Sequence, residues 1–218
     1  MSHKCAYITN YWHLAERGIE IDFASPNGGK IVWLTWSDPY DAESQEANDL
    51  VSKGFLSDKP LTQRLASTMK LSDADLSKYD AVHVAGGIGA AVDLFPNSEV
   101  ADILEHFYRE GKVVGSICHG SIALANNPER VRGMRATGYS LKEELEAEQL
   151  FGKDFLPNYP QPAMEKAGVE FACAEPHGVC VVVDGKLVTA QNQQSPSEYG
   201  LAFHHALVGD TPVQITRR

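Results

Sequence analysis

The sequence predicts a three-layer α/β sandwich, a mostly parallel sheet with helices on both faces, in one domain spanning residues 1–218. Three observations predict it. Apolar, β-branched runs at Tyr79 to Gly87 and Lys112 to Ile117 are separated by an amphipathic helix, Val100 to Glu110. Strand–helix–strand units of this kind return the chain to the same edge and so leave their strands parallel. At 218 residues, 43% hydrophobic and 22% charged, the chain has the size and composition of one well-filled soluble domain. No internal repeat, low-complexity tract or linker divides it.

Taken in order, Tyr7 to Arg17 reads as a helix with Gly18 at its C-cap. Gly18-Ile-Glu-Ile-Asp-Phe-Ala-Ser-Pro alternates apolar and polar residues as a strand does and stops at the Ser25-Pro26 turn. Asn27 to Tyr40 carries glycine, tryptophan and proline without a period and reads as a loop or flap. Ala42 to Met69 is helix-rich, with Leu50, Val51, Phe55, Leu61, Leu65 and Met69 as its apolar candidates. Pro60 fits the first turn of a second helix there.

The buried strand ending at Gly86-Gly87 comes next. The helix after it puts Ile103, Leu104 and Phe107 on one face and closes at Gly111. Beyond the strand at 112–117, Val169 to Phe171 and Val179 to Val183 read as strands. Asp184-Gly185 is a hairpin turn and Leu187 to Ala190 its returning strand. Ser197 to Leu207 is a terminal helix, on which His204-His205 reads as a half-exposed pair.

Composition excludes several functions. A net charge of −10 without any basic run argues against nucleic acid as a partner. No apolar run approaches membrane-spanning length, and the first residues lack the charged-then-apolar layout of a signal peptide. Four cysteines, Cys5, Cys118, Cys173 and Cys180, are scattered without CxxC spacing, which suits free thiols in the cytoplasm. Cys173 and Cys180 read as packing residues. The eight histidines show neither HExxH nor paired Cys/His spacing, so no metal is expected.

The chemistry concentrates in Lys112-Val-Val-Gly-Ser-Ile-Cys-His-Gly-Ser-Ile-Ala-Leu. A short apolar strand stops at Cys118, and small residues lead on into a helix, the layout of a nucleophile elbow. Gly115, Ser116, Gly120 and Ser121 leave room for a tight turn. A thiol at a helix N-terminus ionises more readily than in water, and the thiolate is the reactive form. In open α/β sheets the site lies beyond the strand C-termini, where Gly86-Gly87 follows one strand and Cys118-His119 another. The amides of Gly87 and His119 are placed to hold a developing oxyanion. The plain alternatives are a buried strand-end cysteine beside a chance histidine, and a tight turn at the glycine pair.

These residues carry a family resemblance. Val84-Ala-Gly-Gly-Ile-Gly through Asp93-Leu-Phe-Pro, and Gly115-Ser-Ile-Cys-His-Gly-Ser, resemble the ThiJ/PfpI superfamily of class I glutamine-amidotransferase-like folds. The likeness is closest to the branch holding the heat-shock chaperone and glyoxalase III proteins. Asp22-Phe-Ala-Ser-Pro-Asn-Gly-Gly, Ala136-Thr-Gly-Tyr-Ser-Leu-Lys-Glu-Glu and Val183-Asp-Gly-Lys-Leu-Val-Thr-Ala-Gln-Asn support it, over about Tyr7 to Leu207. It implies a flavodoxin-like sandwich, Cys118 as nucleophile, His119 beside it in the site, and Glu144 orienting His119 or tuning its charge. Gly86, Gly87 and Ile88 would line the oxyanion and substrate position. On the residues alone, Glu143-Glu144 is a solvated acidic pair at a helix start. A homodimer and a small-molecule substrate are further expectations of the resemblance, with no cofactor.

Two departures stand out. Relatives carry a glutamate that hydrogen-bonds the thiol, and its place here falls on Ala6, or with a one-residue slip on Cys5. Neither supplies a carboxylate, and the chain begins where most relatives already have a first strand behind them. Ile88 stands where the glyoxalase III branch often has a histidine, which makes the expected pocket more apolar.

The leading expectation is a cysteine-dependent, cofactor-free enzyme acting on a small reactive carbonyl, as in conversion of methylglyoxal to lactate, or a related hydrolysis or hydration. A redox-responsive or chaperone-like stress protein with an oxidisable Cys118 is the alternative. An amidase or peptidase comes third. Trp12, Trp33 and Trp36 read as core, flap or interface residues, with core foremost for Trp12.

Overall fold

The computed structural model describes residues 4–32, 37–44, 47–209 and 215–217, with residues 4–8 and 215–217 as backbone alone. In chain order its elements begin with helix α1 (Lys4–Ala15), strand β1 (Ala24–Ser25), and helices α2 (Leu50–Ser57) and α3 (Lys59–Ala66). Strands β2 (Met69–Lys70) and β3 (Ala81–Val84), helices α4 (Ala90–Asp93) and α5 (Ser98–Arg109), and strand β4 (Val113–Ile117) follow. A 3₁₀ helix (Cys118–Asn126) leads to α6 (Pro128–Val131), β5 (Arg135–Ala136), α7 (Leu141–Phe151), α8 (Pro160–Lys166) and β6 (Glu170–Phe171). The chain closes with β7 (Val179–Asp184), β8 (Leu187–Ala190), α9 (Pro196–Val208) and β9 (Ile215–Arg217).

The main sheet has the order β3-β4-β8-β7-β9. It is parallel from β3 through β8, and antiparallel where β7 meets β8 and β9. The β7–β8 hairpin turns at Gly185, at φ +58°, as the Asp184-Gly185 signal predicts. Two short parallel pairs, β1–β2 and β5–β6, stand apart from this sheet.

Alternation along β4 creates the layers. Val113 and Ile117 point to one face, into a cluster with Leu14 of α1 and Tyr199, Ala202, Phe203 and Ala206 of α9. Val114 points to the other, among Val100, Leu104 and Phe107 of α5 and Met164 of α8. A strand buried on both faces reads as an unbroken apolar run, which is how β4 reads. Helices therefore cover both faces, and β4 runs through the middle with every residue buried.

Several expectations are corrected in detail. The first helix is Lys4–Ala15, earlier than Tyr7 to Arg17, with Gly18 in the left-handed region at φ +77° two residues after the closing turn begins. Residues 19–25 alternate half-buried and exposed as a strand would, yet only Ala24–Ser25 is laddered. The reason is the partner: β1 pairs with the two-residue β2 and not with the main sheet. Ile19 and Ile21 pack against the α1–α9 cluster instead. In α2 the buried positions are Ser52 and Phe55, whereas Leu50 and Val51 are exposed. Helix α3 begins as expected, with Pro60 in its first turn and Asp58 accepting from the Leu61 amide at 3.1 Å. Cys180 is buried as predicted, but Cys173 is exposed. Trp12 is half-buried, packed edge-on to Phe55 and Tyr11. Trp33 and Trp36 lie outside the described residues. Helix α7 begins where Glu143-Glu144 reads as a helix start, and α8 has no counterpart in the sequence reading.

Gly115 is the one position in β4 where α9 comes too close for a side chain. A Cβ there would fall inside the Tyr199 hydroxyl and the Phe203 ring. Gly115→Ala is therefore expected to lower unfolding free energy by about 1–3 kcal/mol, the usual cost of overpacking. Urea unfolding checks this; an unchanged midpoint would contradict the packing of α9 on β4.

Candidate active site

Strand β4 carries the chain to Cys118, whose φ of +57° lies in the left-handed region that a non-glycine residue rarely adopts. The turn is tight because its neighbours lack side chains. A Cβ on Gly86 would sit 2.8 Å from Cys118 Cβ and 2.9 Å from the Ile117 carbonyl oxygen. A Cβ on Gly120 would sit 2.7 Å from the Val84 carbonyl oxygen. The expected helix after Cys118 is present and winds as a 3₁₀ helix, pressed against the end of β3. Cys118 is 2% exposed.

The imidazole of His119 bridges the sulfur to a carboxylate. Its Nδ1 lies 3.4 Å from Cys118 Sγ, and its Nε2 lies 2.9 Å from Glu144 Oε1. The second contact is close without being aligned as a directed hydrogen bond, so charge holds it more than geometry. Tyr139 stacks on the imidazole with ring centroids 4.4 Å apart and planes 25° from parallel. Its amide donates to the Cys118 carbonyl at 3.3 Å, tying the aromatic lid to the elbow.

Burial of His119 pulls its pKa down, but the negative charges at Cys118 and Glu144 outweigh it and push the imidazole up to about 10. Burial pushes the Tyr139 hydroxyl well above its ordinary range, reinforced by the same negative charges.

The first turn of α7 supplies the acids. Ser140 caps the helix, accepting from the Glu143 amide, while the Glu143 side chain reaches back to the Ser140 amide. Both Glu143 and Glu144 are buried, which corrects the reading of a solvated pair. Their roles divide. Glu143 Oε2 accepts from the Ser140 amide and hydroxyl and from Gln191 Nε2, and its Oε1 from the His177 amide and Asn192 Nδ2. These donors are 2.6–3.1 Å away and come from α7, the loop before β7 and the end of β8. Glu144 is left for His119.

A cavity of about 190 Å³ opens beside the sulfur. Ile88, Cys118, His119, Tyr139 and Glu144 line it, with Leu150, Phe151 and Phe155 on the α7 side. A larger open depression, about 400 Å³, holds no nucleophile; of its charged walls, Glu105 pairs with Arg130 and Glu129 with Arg132. The structure thus gathers Cys118, His119, Glu144 and Ile88, sets Gly86 against the cysteine, and leaves Gly87, at φ +109°, at the turn between Gly86 and Ile88. The side chains of Cys5 and Ala6 lie outside the described residues. Among the described residues no three His, Cys, Asp or Glu groups gather to hold a metal ion, and no helix is long and apolar enough to cross a membrane.

Sequence reasoning missed Tyr139, the Glu143 knot and the α7 wall. The Ser140-x-x-Glu143 capping box was a readable signal for the helix start. Nothing local marks Gln191 and Asn192 as donors to a glutamate nearly fifty residues earlier.

A strained cysteine at the end of a central parallel strand, backed by an imidazole and a buried carboxylate, defines a nucleophile-elbow protein of the three-layer α/β class. The chain belongs to the DJ-1/PfpI family, whose pattern matches residues 4–206. It is 31% identical over 197 residues to the Glutamine amidotransferase-like class 1 domain-containing protein 1 of Bos taurus, covering 87% of this chain and 82% of that one. Over 188 residues it is 24% identical to the Probable glutathione-independent glyoxalase HSP32 of Saccharomyces cerevisiae, covering 83% and 78%. The X-ray structure of the Francisella tularensis Rapid Encystment Protein 24 kDa superposes with a TM-score of 0.82 at 28% identity, covering 94% of this chain and 89% of that one.

Two outcomes test the division of labour between the acids. Glu143→Gln places an amide against donors that need a carboxylate and is expected to destabilise the fold by about 3 kcal/mol or more. Stability within 1 kcal/mol of wild type in urea unfolding would contradict this. Because the His119 value is raised on folding, its stabilisation is complete below about 6.5 and is lost as pH rises through about 10. An NMR titration of the imidazole should show that midpoint falling in Glu144→Gln; an unmoved midpoint would remove Glu144 from the line.

Proposed function

We propose that this protein is a cysteine-dependent enzyme that converts a small α-ketoaldehyde, such as methylglyoxal, to the corresponding 2-hydroxy acid. The observation that carries this reading is the sulfur–imidazole–carboxylate line, 3.4 Å and then 2.9 Å, lining the buried side of a small cavity. A protonated His119 is the countercharge for a Cys118 thiolate, and Glu144 in turn is the countercharge for His119. The glyoxalase name of the yeast relative agrees with the reading.

In the proposed sequence the Cys118 thiolate attacks the aldehyde carbon. A C–S bond forms, the carbonyl π pair moves to oxygen, and the Gly87 and His119 amides receive the oxyanion. His119 gives this oxygen a proton. Now neutral, it takes the proton from the former aldehyde carbon to leave an enediolate and returns that proton to the neighbouring carbon, while the hydroxyl proton on the former aldehyde oxygen passes to the neighbouring oxygen as the carbonyl re-forms at the first carbon. That transfer oxidises the first carbon and reduces the second, so no outside oxidant or cofactor enters the balance. The product is a hydroxyacyl thioester on Cys118, and water cleaves it to the 2-hydroxy acid and the free thiol. With no carboxylate available at Ala6 or Cys5, His119 carries the transfers to the oxyanion and between the two carbons.

The test is lactate formation from methylglyoxal. Cys118→Ser is expected to abolish turnover, and His119→Ala to lower kcat by roughly 10²–10⁴-fold. Full activity in Cys118→Ser would overturn the proposal.

A further inference from the structure

The walls of the cavity differ sharply in character, and the difference bears on which carbonyl compound fits. On one side Ile88, Ala147, Leu150, Phe151 and Phe155 form an apolar surface continuous with the space over Cys118. Leu150 is 72% exposed and Phe151 42% exposed, so this surface reaches water at the cavity mouth. The Phe151 and Phe155 ring centroids are 5.4 Å apart, and Phe155 is packed from behind by the Ile122–Leu156 cluster that also holds Ile88. Large apolar side chains left in water beside a nucleophile gain free energy when a ligand's apolar group covers them.

The polar side of the cavity is acidic. Glu143, Glu144 and Glu146 line it, with no lysine or arginine among the described lining residues. Two imidazoles are present, and each already has a carboxylate. His119 contacts Glu144, and His177 Nε2 lies 2.8 Å from Glu146 Oε2. Among the described residues, a substrate carboxylate placed here would meet three carboxylates and no uncommitted cation.

Resting on the enzymatic reading above, we propose that the site selects neutral carbonyl substrates bearing an aromatic or branched apolar group, and discriminates against those bearing a carboxylate. The α7 wall is the specificity element: Leu150, Phe151 and Phe155 take the apolar group, and Glu146 with its acidic neighbours rejects the anion. The volume of about 190 Å³ accommodates one such group and falls short of the roughly 300–1,000 Å³ common for drug-sized ligands.

Three α-bromoketones that share one reactive group test this: bromoacetone, phenacyl bromide and bromopyruvate. In each, Cys118 Sγ forms a bond to the CH₂ carbon and bromide leaves with the electron pair. Rates of Cys118 labelling are measured by peptide mapping in a Cys173→Ser background, because Cys173 is exposed. Each rate is divided by that of free N-acetylcysteine with the same reagent. Phenacyl bromide is expected to exceed bromoacetone by roughly tenfold or more, and bromopyruvate to fall below it by a similar factor. Phe151→Ser with Leu150→Ser should bring the phenacyl-to-bromoacetone ratio toward one, and Glu146→Gln should raise the bromopyruvate rate.

Equal normalised rates, a preference for bromopyruvate, or no labelling of Cys118 by any reagent would overturn the inference. Labelling requires no turnover, so the two proposals fail separately. A protein that shows the preference but forms no hydroxy acid loses the enzymatic reading and keeps the selective pocket. One that turns over methylglyoxal with equal labelling rates keeps the first and loses the second.

Discussion

The rest of this structure depends on the close approach of the β3 end to the turn at Cys118. A non-glycine residue at φ +57° is strained, and the strain persists only where the surroundings leave no alternative. Here the surroundings are backbone: the Val84 and Ile117 carbonyls lie where Cβ atoms on Gly120 and Gly86 would need to be. Beyond the hydrogen-bonded β3–β4 ladder, the backbone of the two strand ends comes too close for any Cβ on Gly86 or Gly120, and the cysteine turns at that point. Its sulfur therefore faces His119 and the cavity.

That placement is maintained by buried charge. His119, Glu143 and Glu144 are all nearly solvent-free, and each is costly to bury alone. Glu143 is offset by five hydrogen bonds that converge from three parts of the chain, which fixes the first turn of α7. Glu144, one residue on, is thereby aimed at His119 without needing hydrogen bonds of its own. Structure and chemistry are assigned to adjacent residues: one acid is fully satisfied so that the next can remain available.

Much of this was legible in the sequence wherever the controlling interactions are local. The elbow announced itself because a β-branched run gives way to small residues at a cysteine. The β7–β8 hairpin followed from Asp184-Gly185, and the start of α3 from Pro60. Along Ile19 to Phe23 the alternation correctly foretold which side chains turn inward, yet it could not supply a neighbouring strand, and the ladder forms over only two residues. Leu50 and Val51 looked like core residues because α2 is short and its inward face rests on Ser52 and Phe55. Non-local control defeated the reading most completely at Glu143 and Glu144. Adjacent acids at a helix start are usually solvated, and their burial here depends on Gln191, Asn192 and the His177 amide. The 3₁₀ winding after Cys118 was equally invisible, because it answers to carbonyls on β3.

The proposed function requires this strained cysteine to do covalent chemistry on a carbonyl carbon. The most direct measurement is rapid acid quench of the enzyme during methylglyoxal turnover, followed by mass mapping of the Cys118 peptide. A hydroxyacyl adduct on Cys118 is expected to appear within the first turnover, to be released by hydroxylamine as a thioester is, and to disappear as substrate is exhausted. Adducts confined to lysine, arginine or the exposed Cys173, with Cys118 unmodified throughout, would contradict it.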